Sequence, residues 1–308
     1  MAKILSIDGG GIKGIFAASL LAEVESKCNV RICDYFDMIA GTSTGGIIAS
    51  ALAIGIPARQ ILDLYMNKAR IIFPEKRGIW RRIMGSKYNT EPLQLELTGI
   101  FGDLKIKDCL TRLVMPTYNL ENQSVHVFKT PHAEDLLFDK ELKIVDCLLA
   151  TTAAPTYLRP HQMHGGVFID GGIGANNPSL IAVIEGITRC EWKREDIKVL
   201  SIGGINEADG ATNGMERMGA VDAAKILKCF MNAESQYAEN ISRLLITKDN
   251  LVRINYNSFS NQVSIDKTSK NSLILLKDWG MNQAQDNIWK IKNMFLQETK
   301  SEFNLYNC

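Results

Sequence analysis

The chain has 308 residues, 46% hydrophobic and 22% charged, with a formal net charge of +1. This is the balance of an ordinary soluble globular chain, and it excludes the global basic field that a nucleic-acid polymer would attract. Seven cysteines (Cys28, Cys33, Cys109, Cys147, Cys190, Cys229 and Cys308) form no CxxC pair and no metal-ligand spacing, so they read as free thiols of a reducing compartment.

Apolar KILSI (3–7) is a buried strand that begins almost at the first residue and is too short for a signal peptide. It runs into DGGGIKG (8–14), where three consecutive glycines cost backbone entropy. Such turns present N–H groups to negative charge, either a bound phosphate or a charge that arises during a reaction. From Gly14 to about Lys27, Phe16, Leu20 and Val24 recur four apart with Ala17 and Leu21 beside them, the apolar face of a helix. FDMIA (36–40) is a second short strand, followed by GTSTGG and a helix over Ile47–Ile54 that is apolar all round and stopped by Gly55 and Pro57. The most apolar window, 45–57, is shorter than the roughly 20 residues of a bilayer span. The expectation is therefore a cytoplasmic protein with peripheral membrane contact.

A long, less regular region comes next. Strands are expected at 124–130 and 165–170, and helices at 143–155, closed by Pro155, and at 178–190, opened by Pro178. KVLSIGG (198–204) is a strand ending in glycines, and helical stretches around 216–249 and 273–299 flank a strand at 251–256. No repeat or linker divides the chain. Alternating strands and helices predict an α/β layer fold in one domain over 1–308, with a motif-bearing core over about 3–205 and the 206–308 segment packed on it.

GTSTG (41–45) matches G-x-S-x-G, a weak motif alone, but it lies between a strand and an apolar helix. That is the setting of a nucleophile elbow, with Gly41 and Gly45 leaving room for a sharp turn under the Ser43 hydroxyl. The plainer alternative is a Ser/Thr-rich helix cap. A serine needs a base, and none of the four histidines (His126, His132, His161, His164) has an obvious triad setting. HQMH (161–164), on an expected loop, lacks the further partners of a metal site. Asp170, at the end of the VFID strand and followed by Gly171 and Gly172, stands where active-site groups sit in open α/β sheets; Asp-Gly is also a common turn pair. An aspartate that serves as base must be buried enough for its pKa to rise.

For DGGGIKG, the phosphate loop G-x-x-x-x-G-K-[ST] is absent. The dinucleotide fingerprint fits, yet the only ribose-binding acid at suitable spacing is Asp34. If Ser43 attacks a carbonyl, the N–H groups of Gly9, Gly10 and Gly11 are suitable oxyanion donors, with Lys13 adding positive charge nearby and Gly14 opening the helix.

Taken together, SIDGGGIKG (6–14), DYFDMIAGTSTGG (34–46), ATTAAPTYLRP (150–160), the DGG of Asp170–Gly172 and VLSIGG (199–204) resemble the patatin-like phospholipases, which include plant patatins and cytosolic phospholipase A2. The resemblance spans about two-thirds of the chain. It implies a three-layer α/β/α sandwich with a mostly parallel sheet, a Ser43–Asp170 dyad without histidine, and an oxyanion hole from the glycines of GGGIKG. It also implies hydrolysis of lipid acyl esters through an acyl-serine, with no metal and no cofactor. Lys13 departs from the arginine of many members, replacing a planar fork by a point charge. ATTAAPTYL matches as a structural block only.

Residues 69–87 interleave Ile71, Phe73, Trp80 and Ile83 with Arg70, Arg77, Arg81 and Arg82, a candidate lipid contact through Trp80, Arg81 and Arg82 or, equally, a buried flap with charged ends. Two other functions compete with a plain lipase. One is a low-turnover storage or binding protein. The other, by family precedent, is a stand-alone bacterial anti-phage effector activated by a cyclic nucleotide, with its activator or self-association surface in the C-terminal helices or the basic segment.

Overall fold

The computed structural model describes residues 1–74, 86–207, 223–258, 263 and 266–306. Its strands are β1 (Ala2–Ile7), β2 (Met38–Gly41), β3 (Arg112–Asn119), β4 (Ser124–Lys129), β5 (His161–Met163), β6 (Gly166–Asp170), β7 (Ile197–Glu207) and β8 (Leu251–Ser258). Its helices are α1 (Gly14–Cys28), α2 (Thr44–Ala53), α3 (Ala58–Ile72), α4 (Glu91–Phe101), α5 (Ile144–Thr151), α6 (Gly172–Ala175), α7 (Ser179–Thr188), α8 (Ala223–Leu245) and α9 (Lys270–Phe295).

The strands form one sheet in the order β5-β6-β3-β2-β1-β7-β8, with β4 also paired to β3. Strands β3, β2, β1, β7 and β8 are parallel, while β4 and β6 join β3 antiparallel and β5 joins β6 antiparallel. Successive side chains in the parallel strands point to opposite faces. Leu5, Ile7, Ile39, Leu113, Met115, Leu200 and Ile202 therefore enter one core with α1 to α5 and α9, whereas Ile4, Met38, Ala40, Val114, Val199 and Leu251 enter a second core against α7. Two cores on the two faces of one sheet make the expected three-layer α/β/α sandwich. Every residue of α2 is buried, which is why its sequence is apolar all round.

The topology of β3 positions the site. Residues 117–119 pair with both β4 and β6, and Val114 pairs with both β4 and β2. Since a strand has two edges, β2 and β6 share the edge opposite β4. Parallel β2 runs up to Val114 and antiparallel β6 runs down to Thr117, so their C-terminal ends converge on Met115 and Pro116. Pro116 lacks an N–H, and it sits where this edge changes partner and no ladder donor is required.

Several boundaries differ from expectation. Helix α5 stops at Thr151 rather than Pro155, because the carbonyls of Thr151 and Ala153 accept the N–H groups of Gly171 (3.3 Å) and Asp170 (3.0 Å). HQMH is not a loop, since His161–Met163 is the edge strand β5. Strand β7 continues through Gly203 and Gly204 to Glu207, with a register shift between Ile202 and Ile205. The irregular region contains α3, α4 and β3. Of the expected helix around 216–249, residues 223–245 are helical and 208–222 lie outside the described residues. The six cysteines among the described residues are free thiols.

A buried polar network ties α7 to β4 and the segment that follows it. Glu185 of α7 accepts from Lys129 Nζ (2.6 Å) and contacts His132 Nε2 (3.1 Å), while His132 Nδ1 meets Thr130 Oγ1 (2.9 Å). Burial lowers the His132 pKa against the pull of Glu185. His132→Ala removes one partner of a buried carboxylate and leaves a void. It is expected to cost about 2–4 kcal/mol in a urea titration, with specific activity per folded molecule unchanged.

Candidate active site

The turn after β2 places Ser43 at φ 55° and ψ −122°, outside the regions a serine ordinarily occupies. Strain of this kind costs of order 1–3 kcal/mol and persists only where the surroundings enforce it. Here they do. A side chain on Gly41 would fall 2.1 Å from the Gly45 carbonyl, and one on Gly45 would fall 2.2 Å from the Ile7 carbonyl. The preceding Thr42 is fixed by its N–H to Ile7 O (3.2 Å) and its hydroxyl to Ala175 O (2.7 Å).

Ser43 Oγ donates to Asp170 Oδ2 at 2.6 Å, across 127 residues of sequence. Asp170 Oδ1 accepts the Gly172 N–H at 2.7 Å, so each carboxylate oxygen has one defined partner. Both side chains are buried, Ser43 at 6% and Asp170 at 5% exposure. Burial pushes the Asp170 pKa up to about 6, against the opposing bonds from Ser43 and the Gly172 N–H. The carboxyl is thus buried and lies beside the serine.

The glycine turn abuts the elbow. An added Cβ on Gly9 would lie 3.4 Å from Ser43 Cβ, and one on Gly14 would lie 2.4 Å from Thr44 Oγ1. The Gly9 N–H is already bonded to Asn176 O (3.1 Å), whereas no acceptor engages the N–H of Gly10 or Gly11 among the described residues. Gly11, at φ 58°, is in the left-handed region that favours glycine. Lys13 is buried, and its Nζ donates to Ile205 O (3.4 Å). A side chain on Gly171 would strike Pro116 O at 2.1 Å, and one on Gly172 would meet Met231 Cε at 2.8 Å.

Ser43, Asp170 and Gly9–Gly11 open into a cavity of about 710 Å³. Its lining includes apolar Ile47, Leu64, Ile72, Phe73, Leu97 and Leu158 and polar Asp8, Asn176, Ser235, Glu239 and Arg253. Arg253 of β8 donates to both Asp8 carboxylate oxygens (2.7 and 2.5 Å) and to Ser201 Oγ (2.6 Å). In the sequence alone, Arg253, Asn176 and Thr151 carry no assigned role. An arginine inside an apolar strand was the available signal for the first, because a buried charge needs a partner. Trp80, Arg81 and Arg82 lie outside the described residues. No helix among the described residues is long and apolar enough to cross a membrane.

A three-layer fold whose strained serine bonds a buried carboxylate beside a glycine-rich turn defines a serine hydrolase. The patatin-like phospholipase model matches residues 5–183, and the chain belongs to that family, whose members hydrolyse lipid acyl esters. The chain is 32% identical to a cGAMP-activated phospholipase of Vibrio cholerae, over 94% of this chain and 92% of that protein. It is 36% identical to a protein of the same name from Escherichia coli over 67% of this chain and 62% of that one, and 28% identical to patatin-like protein 3 of Arabidopsis thaliana over 99% and 83%. The solved structure of VipD from Legionella pneumophila superposes with a TM-score of 0.51 at 14% identity, covering 94% of this chain and 67% of that one, a likeness of fold alone.

Proposed function

We propose that Ser43 and Asp170 are the catalytic dyad of a phospholipase whose activity a cyclic dinucleotide switches on. The observation that carries the dyad is the 2.6 Å bond between the strained serine and a buried carboxylate. Asp170, ionised, takes the Ser43 hydroxyl proton as Oγ attacks the ester carbonyl carbon. The oxyanion accepts from the Gly10 and Gly11 N–H groups, and loss of one such donor typically costs about 3–4 kcal/mol of transition-state stabilisation. Collapse expels the alcohol, which takes the proton from Asp170, and leaves acyl-Ser43. Water then attacks the acyl carbon, giving its proton to Asp170, and the fatty acid departs as Ser43 regains its hydrogen. In this reading the acyl chain packs on apolar lining residues such as Ile47, Leu64 and Leu158, and the alcohol portion meets polar ones such as Asn176 and Glu239.

Regulation by a cyclic dinucleotide is supported by the names of the bacterial relatives, one of them aligned along nearly its whole length. In this reading the protein is an effector that degrades membrane on a nucleotide signal, and it docks peripherally on the bilayer that carries its substrate. A storage role is disfavoured, because a retired site has no physical reason to keep a strained serine on a buried carboxylate.

The test pairs two measurements. A fluorophosphonate probe is expected to label Ser43, located by peptide mass spectrometry, and cyclic GMP–AMP is expected to raise fatty-acid release from phospholipid vesicles at least tenfold. A Ser43 that stays unlabelled in folded protein both without and with cyclic GMP–AMP defeats the dyad. Labelled protein indifferent to every cyclic dinucleotide defeats the switch alone.

A further inference from the structure

The ATTAAP stretch matches the family as a sequence block without a role, yet it touches both members of the dyad. Thr151, fully buried at the end of α5, donates its hydroxyl hydrogen to Pro116 O (2.6 Å), and its oxygen accepts the Ser43 N–H (3.0 Å). Two carbonyls of the same segment hold the other side. Thr151 O accepts from the Gly171 N–H (3.3 Å), and Ala153 O accepts from the Asp170 N–H (3.0 Å). The backbone N–H of serine and of aspartate are thus both anchored to residues 151–153.

The fork in the sheet explains why an anchor is needed. Strands β2 and β6 approach head to head along one edge of β3, so no ladder bond joins the end of one to the end of the other. Pro116, in the gap, offers a carbonyl but no N–H, and that carbonyl takes the Thr151 hydroxyl. Packing restricts the hydroxyl further, since an added Cβ on Gly46 would meet the Thr151 methyl at 3.1 Å. With its hydrogen committed to Pro116 O, the oxygen presents a lone pair to Ser43. We propose that Thr151 is a positioning residue for the hydrolysis, its hydroxyl tying the elbow to the fork so that Ser43 Oγ meets Asp170 in line for proton transfer. This inference rests on the dyad reading above. A displacement of about 1 Å at a reacting group can cost roughly 100-fold in rate, so the loss of one side-chain anchor is enough to register.

The experiment compares Thr151→Val, which keeps shape and removes both bonds, with Thr151→Ser, which keeps donor and acceptor. Thr151→Val is expected to lower kcat on a soluble ester roughly 10- to 100-fold with KM little changed, and to slow fluorophosphonate labelling of Ser43 in parallel. Thr151→Ser is expected to restore most of both rates. If Thr151→Val is recovered unfolded, Thr151→Cys, with a weak donor and acceptor in similar volume, is judged by the same kcat and labelling rate. Parent-like kcat in the unbonded variant overturns the inference, as does a loss confined to KM, or equal loss in valine and serine variants. Absence of labelling in the parent itself is the separate failure of the dyad.

Discussion

Replacing Asp170 by asparagine is expected to abolish turnover and, at neutral pH, to make the protein more stable. Asparagine keeps the size and the acceptor for the Gly172 N–H, but it cannot take a proton from Ser43. Loss of the general base lowers kcat by roughly 10²- to 10⁴-fold. The stability change has the opposite sign. The folded protein holds the Asp170 carboxyl at about 6 through burial, against an ordinary value of 3.8. Between those pH values the folded state binds the proton more tightly than the unfolded chain, so this group's contribution to stability falls as pH rises from about 4 to about 6. Well above 6 the charge is fully present and buried, and the gap corresponds to about 3 kcal/mol. The asparagine variant avoids that cost. Its advantage in urea denaturation should be largest at pH 7–8 and vanish toward pH 4. In the parent, kcat/KM should rise with pH through an inflection near 6 as the carboxylate forms. Glu234 of α8, raised to about 7 chiefly by burial, titrates in the same range, so the profile is measured on Glu234→Gln as well; an inflection that leaves with Glu234 would reassign the base. An asparagine variant less stable than the parent at pH 8 would show that Asp170 is not held in an unfavourable charged state.

This opposition explains why both members of the proposed dyad stood out in the sequence although they are 127 residues apart. GTSTG sits between a strand and an all-apolar helix, and Asp170 ends an apolar strand before two glycines; both patterns break local preferences that a structural segment would keep. The glycine turn was legible for the same reason, but not which of its amides are unengaged, since that depends on the Asn176 carbonyl reaching back to Gly9. Strand β3 was missed because Pro116 argues against a central strand, and only the fork makes a proline harmless there. Helices α3 and α4 were missed within a stretch that mixes charged and apolar residues, where α3 buries Ile61, Leu62, Tyr65 and Ile72 on a single face. Thr151 carried no signal at all, as a buried threonine at a helix end looks like any other. The antiparallel entry of β6 was likewise invisible, because a strand's direction in a sheet is a matter of tertiary register.

Arg253→Met is expected to be the most destabilising single change near the site, and Asp8→Asn in the same chain is expected to restore most of the loss. Arg253 is anchored in β8, bonds Ser201 in β7, and grips the carboxylate that follows β1. That carboxylate immediately precedes Gly9, so the ion pair fixes the origin of the glycine turn across three adjacent strands. Burial holds the Asp8 pKa above its ordinary value even with Arg253 opposing. Removing the guanidinium therefore leaves a buried carboxyl without its counter-charge, a defect that costs about 3–5 kcal/mol in buried pairs. Neutralising both partners removes the uncompensated charge, and replacement of a whole buried pair is often nearly neutral. A double-mutant cycle in urea should show the Arg253→Met penalty shrinking by at least half when Asp8 is already asparagine. Hydrolysis separates stability from the proposed oxyanion role, since the double variant regains stability without the ion pair that precedes the glycine turn. It should fold and still turn over substrate at least tenfold more slowly than the parent, with residual labelling of Ser43. Additive losses across the cycle would mean that Arg253 acts by packing its own stem and that the turn is held by its glycines alone.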